Sequence, residues 1–367
     1  MPEPRQLPAR ARALVVILVA ATLGLTAPIA SAAPTPLPSS ASPIDAERVK
    51  RADARALDAA LDRARRGIGA GLSVAVVTND GRSWTEASGF DRLGRRMSED
   101  DAIAIGSVTK TFTAALILAL VDEGRIDLDA PVRRYLPKVR LVRGVTVRQL
   151  LNHTSGIADL YRPLKEHLAH RRHAALSSND VLFSVGRRWF RAGEGHAYSN
   201  TNYFLLGHVI ESVTHRSFAK ELERRFTGPM GLTHTRLLTA EDSLLPAAWS
   251  SGFWTSGAMK STPLELAVWG QELYRGRVVS YASTRSMLNF NAGYRYGLGA
   301  QRFEIAGRNL PGHSGLLYTS TTLLVHLPQE KITVALSTPS TNVDLEFALA
   351  GRHGGRSLLA AVLELAR

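Results

Sequence analysis

A serine and a lysine three residues apart, in Ser107-Val108-Thr109-Lys110, form the strongest chemical signal in this chain. The apolar run 112–121 follows directly, so the segment reads as the first turn of a helix. Residues three apart share a helix face, which puts the Lys110 ammonium within reach of the Ser107 hydroxyl. A serine at a helix N-terminus also has backbone N–H groups free to meet a developing oxyanion. A nearby cation lowers the cost of forming the alkoxide. Because apolar residues follow it, Lys110 is expected to face protein rather than water. A second signal is Tyr198-Ser199-Asn200, preceded by Phe190-Arg191-Ala192-Gly193. A third is His313-Ser314-Gly315, preceded by Pro311-Gly312. Together they offer a nucleophile with a cation, a phenol with an amide, and a polar strand edge with a glycine. That set suits acyl transfer.

The elements that must position these residues follow from periodicity. Residues 45–66 have helical spacing, with Val49, Leu57 and Leu61 on one face. The β-rich run 72–78, the turn signal Asn79-Asp80-Gly81 and residues 82–88 predict an early hairpin. Helical pieces are predicted at 112–121, 147–151, 181–185, 202–213 and 263–273. Strand character returns at 318–327 and 331–337, and a last helix fits 357–365. This order predicts an α+β fold: an antiparallel β-sheet flanked by helices, with a mostly helical inserted region. The sheet part would be 45–105 and 290–367, the helical part 106–289, with a cleft between them for the site.

The chain has 367 residues and no cysteine, which excludes disulfides, thiolate metal sites and a cysteine nucleophile. Its net charge of +13 raises the question of nucleic acid. The arginine pairs are scattered and interleaved with acids, however, and no nucleic-acid module is recognisable, so no nucleic-acid partner is expected. Arg5, Arg10 and Arg12 precede an apolar run, Ala13 to Leu25, and the small residues Ala30-Ser31-Ala32-Ala33 follow. This is a signal-peptide layout, with an uncleaved anchor as the alternative. The expectation is a signal segment at 1–32, a Pro/Ser/Ala tether at 33–44, and a secreted or extracytoplasmic protein. Its basicity would then meet an anionic cell envelope.

The three motifs stand in the order found in the penicillin-recognising serine hydrolases. The chain resembles the branch that holds class C β-lactamases, serine D-Ala-D-Ala carboxypeptidases and related esterases. The resemblance covers roughly residues 45–365 and extends to the stretches 119–137, 145–160 and 296–300. It implies a β-lactamase/transpeptidase-like fold and an acyl-Ser107 intermediate, without metal or organic cofactor. By the same resemblance, Lys110 hydrogen-bonds Ser107 and keeps Tyr198 acidic, so that Tyr198 serves as general base. Asn200 would bind a substrate amide. The N–H groups of Ser107 and Leu316 would form the oxyanion hole beside Ser314 and Gly315. His313, where many relatives carry Lys, would contact a substrate carboxylate or support Tyr198. A phenolate near neutrality needs its pKa lowered by about 3 units, roughly 4 kcal/mol, which only a close cation in a desolvated cleft supplies.

The substrates implied are peptidoglycan-type peptides or small acyl compounds, with β-lactams as acylating ligands. A carboxypeptidase reading leads; a β-lactamase or esterase uses the same machinery, and a non-turnover penicillin-binding or wall-binding sensor is the alternative of another class. Departures from the family pattern are Ala192-Gly193 in place of Pro-Gly, His313-Ser314-Gly315 in place of the Lys-Thr-Gly and Tyr198-Ser199-Asn200 in place of the Tyr-Ala-Asn of class C β-lactamases, and Lys260 in place of an apolar residue. Other signals carry less. Gly312-His313-Ser314-Gly315 resembles a nucleophile turn but continues with Leu316 instead of Gly. His167, His170 and His173 have helical spacing but no H-E-x-x-H, and read as a solvated face. Asn152-His153-Thr154 reads as a turn.

Overall fold

The computed structural model describes residues 48–170, 175–239, 241–242, 247–290, 293–351 and 357–366. The signal segment 1–32, the tether 33–44 and His173 lie outside the described residues, and the side chains of His167 and His170 are likewise not described. In chain order the elements are α1 (Arg51–Ile68), β1 (Leu72–Val77), β2 (Ser83–Ser88), β3 (Ile103–Ala104), α2 (Thr109–Asp122), α3 (Val147–Leu151) and α4 (Tyr161–His170). Then come α5 (Ser178–Ser184), α6 (Asn200–Thr214), α7 (Phe218–Leu222), β4 (Arg236–Leu237), α8 (Ala247–Gly257), β5 (Met259–Ser261), α9 (Pro263–Tyr274) and α10 (Tyr281–Met287). The chain closes with β6 (Gln301–Ile305), β7 (Arg308–Leu317), β8 (Ser320–Leu327), β9 (Ile332–Thr338), α11 (Leu345–Ala350) and α12 (Leu358–Glu364).

Among the described residues a six-stranded antiparallel sheet runs β2-β1-β9-β8-β7-β6. The early hairpin therefore lies against the last strand, with Ser73 opposite Ser337 and Val77 opposite Thr333. This α+β arrangement has one sheet built from both ends of the chain. Strands β1 and β9 are buried along their whole length, which is why LSVAVV and ITVALST carry no charged residue. One face packs on α1, α11 and α12 through Leu57, Leu61, Val74 and Val334. The other packs on the helical region, where α2 is enclosed from Thr109 to Leu120. A helix apolar on all sides is a core helix. Phe112 of α2 stacks on Trp269 of α9, with centroids 4.0 Å apart.

A second sheet, β3-β5-β4, brings Ala104 opposite Lys260, just ahead of the Ser107 turn. Lys260 pairs with Asp242 (2.8 Å), which accounts for a lysine where an apolar residue was expected. Asn152 accepts from the Thr154 amide and hydroxyl (3.2 and 2.7 Å), so that segment forms a turn.

Glu221 is fully buried on α7 among Arg216, Arg224 and Arg225. Burial pushes its pKa up, but hydrogen bonds and charge from Arg224 and Arg225 outweigh it and hold the carboxyl at about 2. A carboxylate with a depressed folded-state pKa contributes stability that is present above its unfolded pKa and lost as pH falls through the folded value. The melting temperature is expected to drop between about pH 4.5 and 2. Glu221→Gln should weaken that acid dependence; identical acid melting curves for the two proteins would contradict it.

Candidate active site

Ser107 occupies the middle of a 3₁₀ turn, Gly106–Val108, that opens into α2. Lys110 lies one turn on and is completely buried. Its Nζ is 3.0 Å from Ser107 Oγ, 2.8 Å from Asn200 Oδ1 and 2.6 Å from the Ser256 carbonyl oxygen. Burial drives the Lys110 pKa down to about 7, with Asp159 opposing the shift. The neutral amine is thus well populated near neutrality. Its two N–H bonds have fixed acceptors in Asn200 Oδ1 and Ser256 O, which leaves the lone pair directed at Ser107 Oγ. The Ser256 carbonyl reaches Lys110 because α8 is kinked at Trp254 (φ 32°, ψ −115°). Such a conformation is strained for an aromatic residue and is held by its surroundings. Here Thr255 is anchored on both sides, its hydroxyl donating to Tyr203 O and its carbonyl accepting from Thr113.

Tyr198 precedes α6 and is partly buried. Its hydroxyl is hydrogen-bonded with the Ser107 side chain, and Lys110 Nζ lies 4.8 Å from its ring centroid. The structure corrects the expected acidity of this residue. Burial moves the phenol above its usual pKa; the Ser107 hydrogen bond opposes this only in part, and Asp159 adds to it. Tyr198 is therefore a neutral hydroxyl beside Ser107, and the neutral form of Lys110 offers a lone pair there.

Two further expectations change. The His313 ring is fully buried, with Nδ1 2.7 Å from Ser314 O and Nε2 2.9 Å from the Tyr296 hydroxyl. Both nitrogens are engaged inside the protein, so the ring contacts neither a substrate carboxylate nor Tyr198. Burial first, and the Lys110 charge second, lower its pKa to about 3, so it is neutral. His313 instead holds Tyr296, which lies edge-on to Tyr198 (5.9 Å). Asn200 is also engaged within the protein. Its Oδ1 serves Lys110, while its backbone N–H and Nδ2 donate to Asp159 (2.8 and 3.3 Å). Only the second Nδ2 hydrogen is left for a substrate.

Strand β7 supplies the opposite wall. It pairs with β8 as far as Leu317 but with β6 only as far as Gly312. The edge from His313 to Leu317 is thus open towards Ser107. The Ser314 amide points out of this edge, donating to Gln301 Oε1 (2.8 Å), and Ser314 Oγ donates to the same oxygen (3.0 Å). Alternate N–H groups of a strand face the same side, so the Leu316 N–H also points out of it. Gly106 lets the two segments meet: a Cβ there would lie 2.6 Å from Leu316 N. The Ser107 and Leu316 amides therefore flank one spot beside the nucleophile, an oxyanion-hole arrangement. A cavity of about 770 Å³ opens here, lined by Ser107, Tyr198, Tyr294, Gln301, Arg302 and Leu316.

A family described as Beta-lactamase matches residues 54–352. The chain belongs to that family. As a Beta-lactamase family member it is also one of the penicillin-recognising serine hydrolases. Penicillin-binding protein 4* of Bacillus subtilis (strain 168) is 26% identical over 292 residues, 70% of this chain and 64% of that protein. Protein flp of Staphylococcus aureus (strain NCTC 8325 / PS 47) is 31% identical over 175 residues, 45% of this chain and 34% of that protein. The chain spans less than two thirds of these curated relatives. A D-stereospecific amidohydrolase from Streptomyces sp. superposes with a TM-score of 0.69 at 28% identity, over 80% of this chain and 97% of that one. A D-amino acid amidase from Ochrobactrum anthropi SV3 shares the fold (TM-score 0.70, 24% identity, 84% of this chain and 98% of that one).

Four residues of this candidate site carried no assigned role in the sequence. Asp159 and Tyr296 stood in stretches resembling the family, which was their only signal. Gln301 and the Ser256 carbonyl had none, since one lies beyond a motif and the other is backbone.

Proposed function

We propose that the protein is an exported serine acyl hydrolase of the D-Ala-D-Ala carboxypeptidase type. The observation that carries this reading is the Lys110 amine, with its hydrogens committed and its lone pair directed at Ser107, beside an open strand edge. Lys110 accepts the Ser107 proton as Oγ attacks a carbonyl carbon. The oxyanion rests on the Ser107 and Leu316 amides. The Tyr198 hydroxyl passes a proton to the leaving nitrogen and is resupplied from Lys110. Water then attacks the acyl-Ser107 ester by the reverse proton route and releases the acid. The open edge from His313 to Leu317 suits an extended peptide, and the leading segment 1–33 supports export to a wall-facing compartment. β-Lactams would acylate the same serine, and a β-lactamase or esterase would differ in how fast water releases the acyl group.

Incubation with a fluorescent penicillin is expected to label Ser107, with the adduct visible by intact mass and missing in Ser107→Ala. A substrate panel of D-Ala-D-Ala peptide, nitrocefin and p-nitrophenyl esters then assigns turnover. Stoichiometric labelling with no product release would identify a sensor, and no adduct with any probe would sink the proposal.

Amide hydrolysis with ammonia as leaving group is the second reading, favoured by the likeness to the D-stereospecific amidohydrolase. Arg302 separates the two. It lines the cavity, its guanidinium lies 5.8 Å over the Phe290 ring, and among the described residues it pairs with no carboxylate. A leaving group ending in a carboxylate would use it. Arg302→Ala is expected to cut kcat/KM for the D-Ala-D-Ala peptide about tenfold, mainly through KM, and to spare the corresponding simple amide. Equal losses on both would favour the amidase reading.

A further inference from the structure

The cleft has a polar side and an aromatic side, and the reaction proposed above uses only the polar one. Beyond Leu316, which is 59% exposed, stand Tyr318 and Tyr161, 49% and 43% exposed. Tyr318 lies 5.6 Å from Trp249, which stacks on Phe253 at 5.3 Å. Tyr161 closes the group, 6.2 Å from Trp249 and 5.9 Å from Phe253. Phe253 is buried with Leu160 and Leu317 in one apolar cluster and forms the floor. The four rings come from α4, α8 and the β7–β8 turn.

Each leg of this shelf is tied to the reacting groups by two or three residues. Tyr318 follows Leu316, whose amide faces the oxyanion position. Phe253 precedes Ser256, whose carbonyl holds Lys110. Tyr161 follows Asp159, which is bonded to Asn200. Two residues of strand span only about 7 Å, so a substrate lying on the edge of β7 reaches the rings. Tyr318 itself has φ +46°, a conformation that favours glycine in a tight turn. A ring held there at the cost of strain, over an exposed apolar surface continuous with a catalytic edge, marks a binding surface.

We propose that this shelf binds a large apolar group, best an aromatic one, on the acyl side of the scissile carbonyl. The inference rests on the acyl-Ser107 reading. The side follows from the proton route. Tyr198, whose hydroxyl supplies the leaving group, lines the cavity with Gln301 and Arg302, so the leaving group is assigned to that side. With the carbonyl oxygen on Leu316 N–H, the acyl group is directed the other way, over Tyr318 and Trp249. The substrate class is then sharpened to acyl compounds, D-Ala-D-Ala peptides included, that carry an aromatic or bulky apolar group on the acyl side of the scissile carbonyl.

The test compares p-nitrophenyl phenylacetate with p-nitrophenyl acetate, which share a leaving group, after subtraction of the Ser107→Ala background. The wild-type protein is expected to favour phenylacetate in kcat/KM by about tenfold or more. Trp249→Ala and Tyr318→Gly should each bring that ratio down by about threefold or more, the second while relieving the positive φ and so keeping the fold. Tyr281→Ser, which removes a 77% exposed ring on α10, should leave the ratio unchanged. A wild-type ratio near one, or a ratio insensitive to both shelf variants, overturns the shelf while an acyl-Ser107 adduct still forms. No adduct with either ester overturns the shelf and the acyl-enzyme reading together.

Discussion

Lys110→Met is expected to slow acylation of Ser107 by about a thousandfold or more while the protein still unfolds cooperatively. The substitution keeps the volume of a fully buried side chain and removes the amine that lies 3.0 Å from Ser107 Oγ. The pH dependence follows from the same group. Burial sets the Lys110 pKa near 7, and the base is the unprotonated amine. Acylation should therefore rise about tenfold per unit below pH 7 and level off above it. Tyr198→Phe separates the two candidate bases. A neutral phenol that protonates the leaving group matters greatly for an amide and little for a nitrophenyl ester. The Phe variant should thus lose far more on amides than on esters. Stopped-flow acylation with a chromogenic β-lactam and an activated ester measures all three. A Met variant within tenfold of wild type, or an acid limb displaced far from pH 7, would return the role of base to Tyr198.

The Lys110 environment shows what was legible in the sequence and what was not. Periodicity placed α1, β1, β2, β8, β9 and the core of α2, because each carries its own burial pattern. The expectation that Lys110 faces protein came from the apolar run behind it. Strand β7 has no such pattern. RNLPGHSGLL contains a proline and two glycines, and its strand state comes from ladders to β8 and β6 rather than from its own residues. The short strands β3, β4 and β5 were hidden for the same reason: long-range pairing defines them.

The motifs named three segments that the fold brings together, but not the direction of each ring. Whether His313 looks into the cleft or into the core depends on where Tyr296 stands, 17 residues earlier. The pKa directions were equally out of reach, because the outcome depends on depth. For Tyr198, desolvation outweighs the hydrogen bond with Ser107. For Lys110 the same desolvation lowers the pKa, because there it is the protonated form that carries the charge, and it leaves a neutral amine where a phenolate was expected.

Gly315→Ala is the sharpest test of the oxyanion arrangement. Gly315 sits on β7 between the Ser314 amide, bonded to Gln301, and the Leu316 amide that faces the nucleophile. No unusual backbone angle forces glycine here, so alanine fits the strand conformation itself. The obstacle is distance: a Cβ would overlap the Ile105 carbonyl oxygen and come within 3.1 Å of Ser107 N. Both opposing atoms are backbone, so no side chain can swing aside. The strand and the 3₁₀ turn must separate, and they carry the two donors of the oxyanion hole. Losing one such donor costs about 10²–10³ in kcat, roughly 3–4 kcal/mol in the transition state. The expected result is a fall in kcat of that order, with KM for a β-lactam or ester moving much less. Gly81→Ala supplies the contrast. It has a positive φ of 87° and nothing within 4 Å of its Cβ, so it should lower the melting temperature and leave kcat alone. If the Gly315 variant keeps wild-type kcat, the Leu316 amide is not an oxyanion donor. If both variants lose kcat in proportion to stability, the effect is global. Only a kcat loss confined to Gly315→Ala ties catalysis to the seating of β7 on the Ser107 turn.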